Sequence, residues 1–171
     1  YQKDLSIADF DWLLSSKWHE VRLAAVIAMR AQYSKADATL QRQLYNLYIS
    51  HIGIGINNWD IIDISCPHIV GAHVFGANNN DPLFALAKQD LWQKRVSIIS
   101  TFWHLKNGDP TLTYALAEVL VYEKHDLLQK AVGWSLREMG KLDGQMLRQF
   151  LNTYAATMPR TALRYALEHL P

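Results

Sequence analysis

Apolar residues recur every three to four positions along most of the chain, and short polar clusters interrupt them at regular distances. That period is helical, and no segment shows the strict alternation of a half-buried strand. The pattern predicts helices over residues 5–15, 18–33, 37–51, 58–75, 82–89, 91–106, 111–122, 124–140, 144–156 and 159–170. The interruptions are rich in glycine, proline, asparagine and aspartate: "GIGINN", "GANNNDP", "NGDPT", "KLDG" and "MPR". These residues supply helix caps and turns.

Three segments share one design. "HEVRLAAVIAM" (19–29), "WQKRVSIISTF" (92–102) and "LQKAVGWSLREMG" (128–140) each open polar, carry a basic residue, then run into small and branched apolar residues. Arg22, Trp59, Arg95 and Ala131 follow one another at intervals of 36 or 37 residues. A period of that size suits a two-helix unit that buries its apolar face against its neighbours. The expected architecture is therefore all-α: a right-handed superhelical stack of HEAT-like helical hairpins, forming one domain over residues 1–171. Equivalent positions of the second helices would line a concave surface.

Composition narrows the picture a little. The chain has 171 residues, half of them hydrophobic, enough for a sizeable core and too apolar for disorder. Net charge is +1, so any polyanion partner must be met by local charge. Cys66 is the sole cysteine, which excludes an intrachain disulfide framework and a cysteine-rich zinc site. No run has the length of a membrane-spanning helix.

Four residues sit awkwardly for a core. In "NNWDIIDIS" (57–65), Asn57 and Asn58 read as N-cap residues and Asp60 as a first-turn acid. Asp63 has no such explanation. It shares a helix face with Trp59, Cys66 and Val70, where a carboxylate must be solvated, paired or functional. Arg95 opens an apolar stripe continued by Ile98, Ile99 and Phe102. Its stem could pack there while the guanidinium reaches solvent, or its fork could hold an anion. Trp134 lies opposite the arc of Leu128, Val132, Leu136 and Met139, among Lys130, Arg137 and Glu138. Placed there, it reads as a lone exposed aromatic or as a contact platform for a ligand. Together, Trp59, Asp63, Arg95 and Trp134 fall at corresponding turns of successive repeats. Two aromatics, a carboxylate and an arginine suit a cationic group next to a phosphate.

Other motifs carry less. "HEVR" (19–22) lacks the second histidine of a zinc helix, and His68 and His73 do not share a face well. There is no phosphate-binding glycine loop and no nucleophile elbow. Ser15 and Ser16 read as caps and Trp12, Trp18, Trp92 and Trp103 as packing residues, with Trp92, three residues before Arg95, also placed to brace it.

Those segments, with "NNWDIIDISCPHIVG", "DLWQKRVSIISTFWHLKNGD", "KHDLLQKAVGWSLREMGK" and "MPRTALRYALEHLP", resemble the AlkD-type DNA alkylation repair family over nearly the whole chain. The resemblance implies a HEAT-like DNA glycosylase that excises cationic N3- and N7-alkylated purines from duplex DNA. It implies Asp63 as the catalytic aspartate, Trp59 and Trp134 as sugar-contacting tryptophans, and Arg95 as a phosphate ligand. It implies no metal, no cofactor and no obligate protein partner, hence a monomer of the cytoplasm associated with the nucleoid. Family members carry further N-terminal helices, part of which this chain lacks, so weaker DNA binding is expected. Lys94, Lys130 and Arg137, with Arg95, are the expected phosphate contacts. The competing expectation is a non-catalytic HEAT scaffold that binds DNA or protein in its groove. It predicts the same fold, with Asp63 in a deep salt bridge and Trp134 covered by another chain.

Overall fold

In the computed structural model, which describes residues 5–168, regular structure is helical throughout. The helices are α1 (Ile7–Leu14), α2 (His19–Tyr33), α3 (Ala38–His51), α4 (Trp59–Cys66), α5 (Ala72–Ala77), α6 (Asp81–Leu86), α7 (Leu91–Ser100), α8 (Phe102–Lys106), α9 (Thr111–Leu120), α10 (Asp126–Leu142), α11 (Gly144–Tyr154) and α12 (Arg160–Leu167). An expected final helix ran to residue 170; residues 169 and 170 lie outside the described part. Among the described residues, no helix is long and apolar enough to cross a membrane.

Local chemistry accounts for many boundaries. Ser6 and Asp9 form a reciprocal capping box at α1. Asp37 and Asp143 cap α3 and α11 by accepting from the backbone N–H groups of Leu40 and Met146. Two expected helices are interrupted. The span 58–75 opens into a π-helical turn at Pro67–Gly71. Pro67 has no N–H to offer the carbonyl four residues back, which belongs to Asp63, and its ring crowds that carbonyl. The span 91–106 breaks at Thr101, whose hydroxyl donates to the Ile98 carbonyl at 2.7 Å; such back-bonding bends helices.

Helices α2, α4, α7, α10 and α12 pack one on the next and form an inner row. Helices α1 and α3 back α2, α6 and α9 back α7, and α9 and α11 back α10. The inner helices run in the same direction. Arg30 of α2 reaches the Ile64 carbonyl of α4, Asp63 reaches Arg95 of α7, and Arg95 reaches the Leu127 carbonyl of α10. Further along, Phe102 meets Trp134. This is the stack of hairpins that the spacing predicts.

The core follows the row. Val26, Met29, Tyr48, Ile61, Ile62, Cys66, Ile69, Val96, Ile98, Ile99, Leu116, Leu136 and Phe150 are all essentially inaccessible. Two glycines set how closely the row packs. A Cβ on Gly71 would lie 2.2 Å from the Ser100 carbonyl oxygen, and one on Gly133 2.4 Å from that of Ala162. Only a residue without a side chain permits those approaches.

Candidate functional site

The site begins with the turn that launches α4. Arg22 grips it from α2: its Nε donates to the Gly55 carbonyl at 3.0 Å, its Nη1 to Ser16 O at 2.8 Å and its Nη2 to Asn57 Oδ1 at 3.3 Å. Asn58 is the N-cap by position, but its side chain makes no capping bond. The first-turn acid Asp60 is held by His19, whose Nε2 lies 2.7 Å from Asp60 Oδ2. The start of α4 is thus tied to α2 at three side-chain contacts. Sequence reasoning took Arg22 only as a marker of the repeat; its three partners lie in other segments, and nothing local identifies them.

Trp59 follows as the first residue of α4 and is 51 % exposed. Asp63 comes one turn later, with its side chain 13 % exposed. Arg95 lies across from it and is 4 % exposed. The two form a forked pair: Arg95 Nε donates to Asp63 Oδ1 at 2.9 Å and Nη2 to Oδ2 at 2.7 Å. Arg95 Nη1 donates to the Leu127 carbonyl at 2.5 Å. Charge-assisted forks of this kind fix geometry as well as energy. Burial pushes the Asp63 carboxyl above its usual 3.8; Arg95 pulls it back only in part, and Asp60 adds to the rise. The fork fills one lone-pair site on each carboxylate oxygen and leaves each with capacity for another donor.

Arg95 is therefore neither a free stem on an apolar stripe nor a guanidinium waiting in solvent. Its fork already holds an anion, and that anion is Asp63. The Leu127 carbonyl is a further part of the site that no side-chain pattern could indicate.

Trp134 departs from its expected setting. It is half-buried and meets Phe102 edge to face, with ring centroids 4.7 Å apart and an interplanar angle of 84°. Its Nε1 donates to Glu138 Oε1 at 3.2 Å. The helical wheel assigned α10 one buried arc, but α7, α8, α9, α11 and α12 all pack on this helix. Its charged side is consequently partly covered, and by this chain. Trp134 still belongs to the same seam. Leu127 and Trp134 are seven residues apart on α10, as Arg95 and Phe102 are across from them, so the two contacts lie about 10 Å apart along parallel helices.

The other expected phosphate contacts are already paired. Lys94 Nζ is 2.7 Å from Glu123 Oε1, Lys130 Nζ is 2.6 Å from Asp126 Oδ2, and Arg137 is bonded to Glu138 and Glu168. Among the described residues, no three histidine, cysteine, aspartate or glutamate side chains gather to hold a metal.

The family model described as DNA alkylation repair enzyme matches residues 1–170. The chain belongs to the DNA alkylation repair enzyme family. A solved structure described as a predicted DNA alkylation repair enzyme from Enterococcus faecalis superimposes with a TM-score of 0.75. That match covers 95 % of this chain and 74 % of the other at 16 % identity, a likeness of fold. No match was found among curated proteins. Family membership and the shared all-α architecture agree with the resemblance carried by the W-D-x-x-D, L-W-x-x-R and Q-K-A-x-G-W segments.

Proposed function

We propose that this chain is a DNA glycosylase that hydrolyses the N-glycosidic bond of cationic N3- and N7-alkylpurines in duplex DNA. One observation carries the reading: a largely buried carboxylate, Asp63, keeps a small exposed edge, is held by a buried arginine and lies one turn from an exposed tryptophan. An N-alkylated purine is already positively charged. When the bond from C1′ to nitrogen breaks, its electron pair goes to the base, which leaves neutral, and positive charge develops on the deoxyribose.

Asp63 supplies fixed negative charge for that oxocarbenium-like state and accepts a hydrogen bond from the attacking water. The water oxygen bonds to C1′, its proton passes through the Asp63 carboxylate to solvent, and the products are free alkylpurine and an abasic site. The Trp59 face packs on the sugar C–H groups and the cationic base. Trp134, stiffened by Phe102 and Glu138, is a second aromatic wall of the same seam. Arg95 is a positioning residue, holding Asp63 in one orientation.

The test is release of free base from duplex DNA carrying N7-methylguanine, with the Asp63→Asn protein alongside. Asparagine keeps the shape but removes the charge, and we expect a loss of about 10²–10³ in the single-turnover rate. Duplexes carrying uracil should be spared, because a neutral base needs a proton to leave and an anion cannot supply one. Measurable uracil release at a comparable rate would contradict the proposed chemistry.

The salt bridge itself favours a second reading, a non-catalytic scaffold. Arg95 neutralises Asp63 in the resting protein, and the expected phosphate contacts are all spent on acids of the same chain. If wild-type protein binds duplex DNA but releases no methylated base, the scaffold reading replaces the glycosylase.

A further inference from the structure

A second place on the inner row pairs cations with no acid to answer them. It is a cleft of about 630 Å³ beside the site, and its wall includes Arg30, Ile64, His68, Trp103 and Lys106. None of the residues lining it is acidic. Arg30 donates to the Ile64 carbonyl at 3.2 Å and has no carboxylate partner among the described residues. Lys106 has none either, and its ammonium stands 5.1 Å from the centre of the Trp103 ring. The two cations converge on His68, whose ring meets Trp103 edge-on at 5.6 Å. Burial lowers the His68 pKa, and Arg30 and Lys106 lower it further.

Basic residues near helix C-termini have an ordinary use, and Arg30 and Lys106 occupy such positions in α2 and α8. That use explains each residue alone. It does not explain why both face one cleft with a histidine between them and no counter-charge. Like charges held together favour a bound anion. The cleft's position says which anion. Ile64 lines it and follows Asp63 directly in α4, so the cleft borders the segment that carries the carboxylate, and a strand laid along the inner row would pass both. We propose that Arg30 and Lys106 seat a backbone phosphate of the DNA strand, with Trp103 as the cleft's aromatic wall. The assignment rests on the proposed activity for the identity of the strand.

Binding of an undamaged duplex, followed by fluorescence anisotropy across a salt series, tests it without excision. Replacing Arg30→Gln and Lys106→Gln together should weaken binding similarly on unrelated sequences. It should also flatten the salt slope by roughly one unit per charge removed. Lys130→Gln, which removes a cation already paired with Asp126, should leave the slope nearly unchanged. An unchanged slope in the double variant overturns the proposal, whatever the Lys130 variant does. So does NMR titration in which inorganic phosphate moves the His68 ring signals but duplex DNA does not. Thermal melting confirms that the double variant is folded, and Arg30→Lys, which keeps the charge, should restore most of the slope. Base release is scored separately: slope loss without any excision retains the phosphate seat and rejects the glycosylase.

Discussion

At the scale of single residues, Asp63 and Arg95 must be read as one object. Considered alone, Asp63→Asn is a nearly isosteric change that packing should tolerate. Considered with its partner, it strands a guanidinium that is 4 % exposed. Removing one member of a buried pair costs up to about 3–5 kcal/mol, and the burial that raises the Asp63 carboxyl offsets part of this, so urea denaturation should find Asp63→Asn destabilised by less than that. Adding Arg95→Met should recover much of the stability and none of the excision. If Asp63→Asn unfolds at the parent's urea midpoint, the pair is worth far less than its geometry indicates. The pH dependence has a definite sign. Burial raises Asp63 in the folded state, so the native protein holds that proton more tightly than the unfolded chain does. Its contribution to stability is therefore complete below 3.8 and is lost as pH rises through the raised folded value. The proposed excision needs the anion and runs the other way. Its acid limb should lie above the ordinary carboxylate range and vanish in the Asp63→Asn protein, which a single-turnover pH profile will show.

At the scale of helices, the boundaries were largely legible because they are written locally, in Ser6 with Asp9, Asp37, Asp143 and the glycine–asparagine turns. The interruptions at Pro67 and Thr101 were not read, although their cause is in the sequence: a missing N–H and a hydroxyl competing for a carbonyl. The anomalous residues were found by asking which side chains do not suit their own helix. That question identifies Asp63 and Arg95 but cannot see that they satisfy each other across 32 residues. It also misjudged Trp134, because a wheel assigns one face to the core and α10 is packed on several. A close contact between helices is legible only in space. Gly133 sits where α10 meets α12, and a methyl group there would collide with the Ala162 carbonyl and the Tyr165 Cβ, the latter at 2.5 Å. Backbone cannot step aside as a flexible side chain can. Gly133→Ala should therefore cost about 1–3 kcal/mol in chemical denaturation, although alanine is the better helix former. A gain in stability would mean that α12 is free to shift away.

For the whole molecule, the net charge of +1 conceals how the charges are spent. Lys94, Arg95, Lys130, Arg137 and Lys141 are matched to acids in the fold, whereas Arg30 and Lys106 share a cleft with no acidic lining. With that cleft as the proposed phosphate seat, association with duplex DNA should depend on few contacts. It should fall steeply with salt but less steeply than for a uniformly basic groove, and be indifferent to sequence. Anisotropy on two duplexes of unrelated sequence, from low to physiological salt, measures both. A strong preference between them would mean that base edges are being read, which the inner row offers no evident means of doing.

The run of bonds from Asp63 to Arg95 to the Leu127 carbonyl joins three inner helices at even steps along the chain. A ribosome delivers those parts in order. While the chain ends before Arg95, Asp63 has no counter-ion and stays hydrated. Once Arg95 emerges, the pair can close, but the arginine still has an unmet donor until the first turn of α10 appears. The centre is thus finished only once α10 has begun, well after its acid is made. A nascent chain halted at Lys124 holds both the acid and its arginine and still lacks the acceptor that completes their setting, so the pair reaches its final form with α10 and not with the residues that make it.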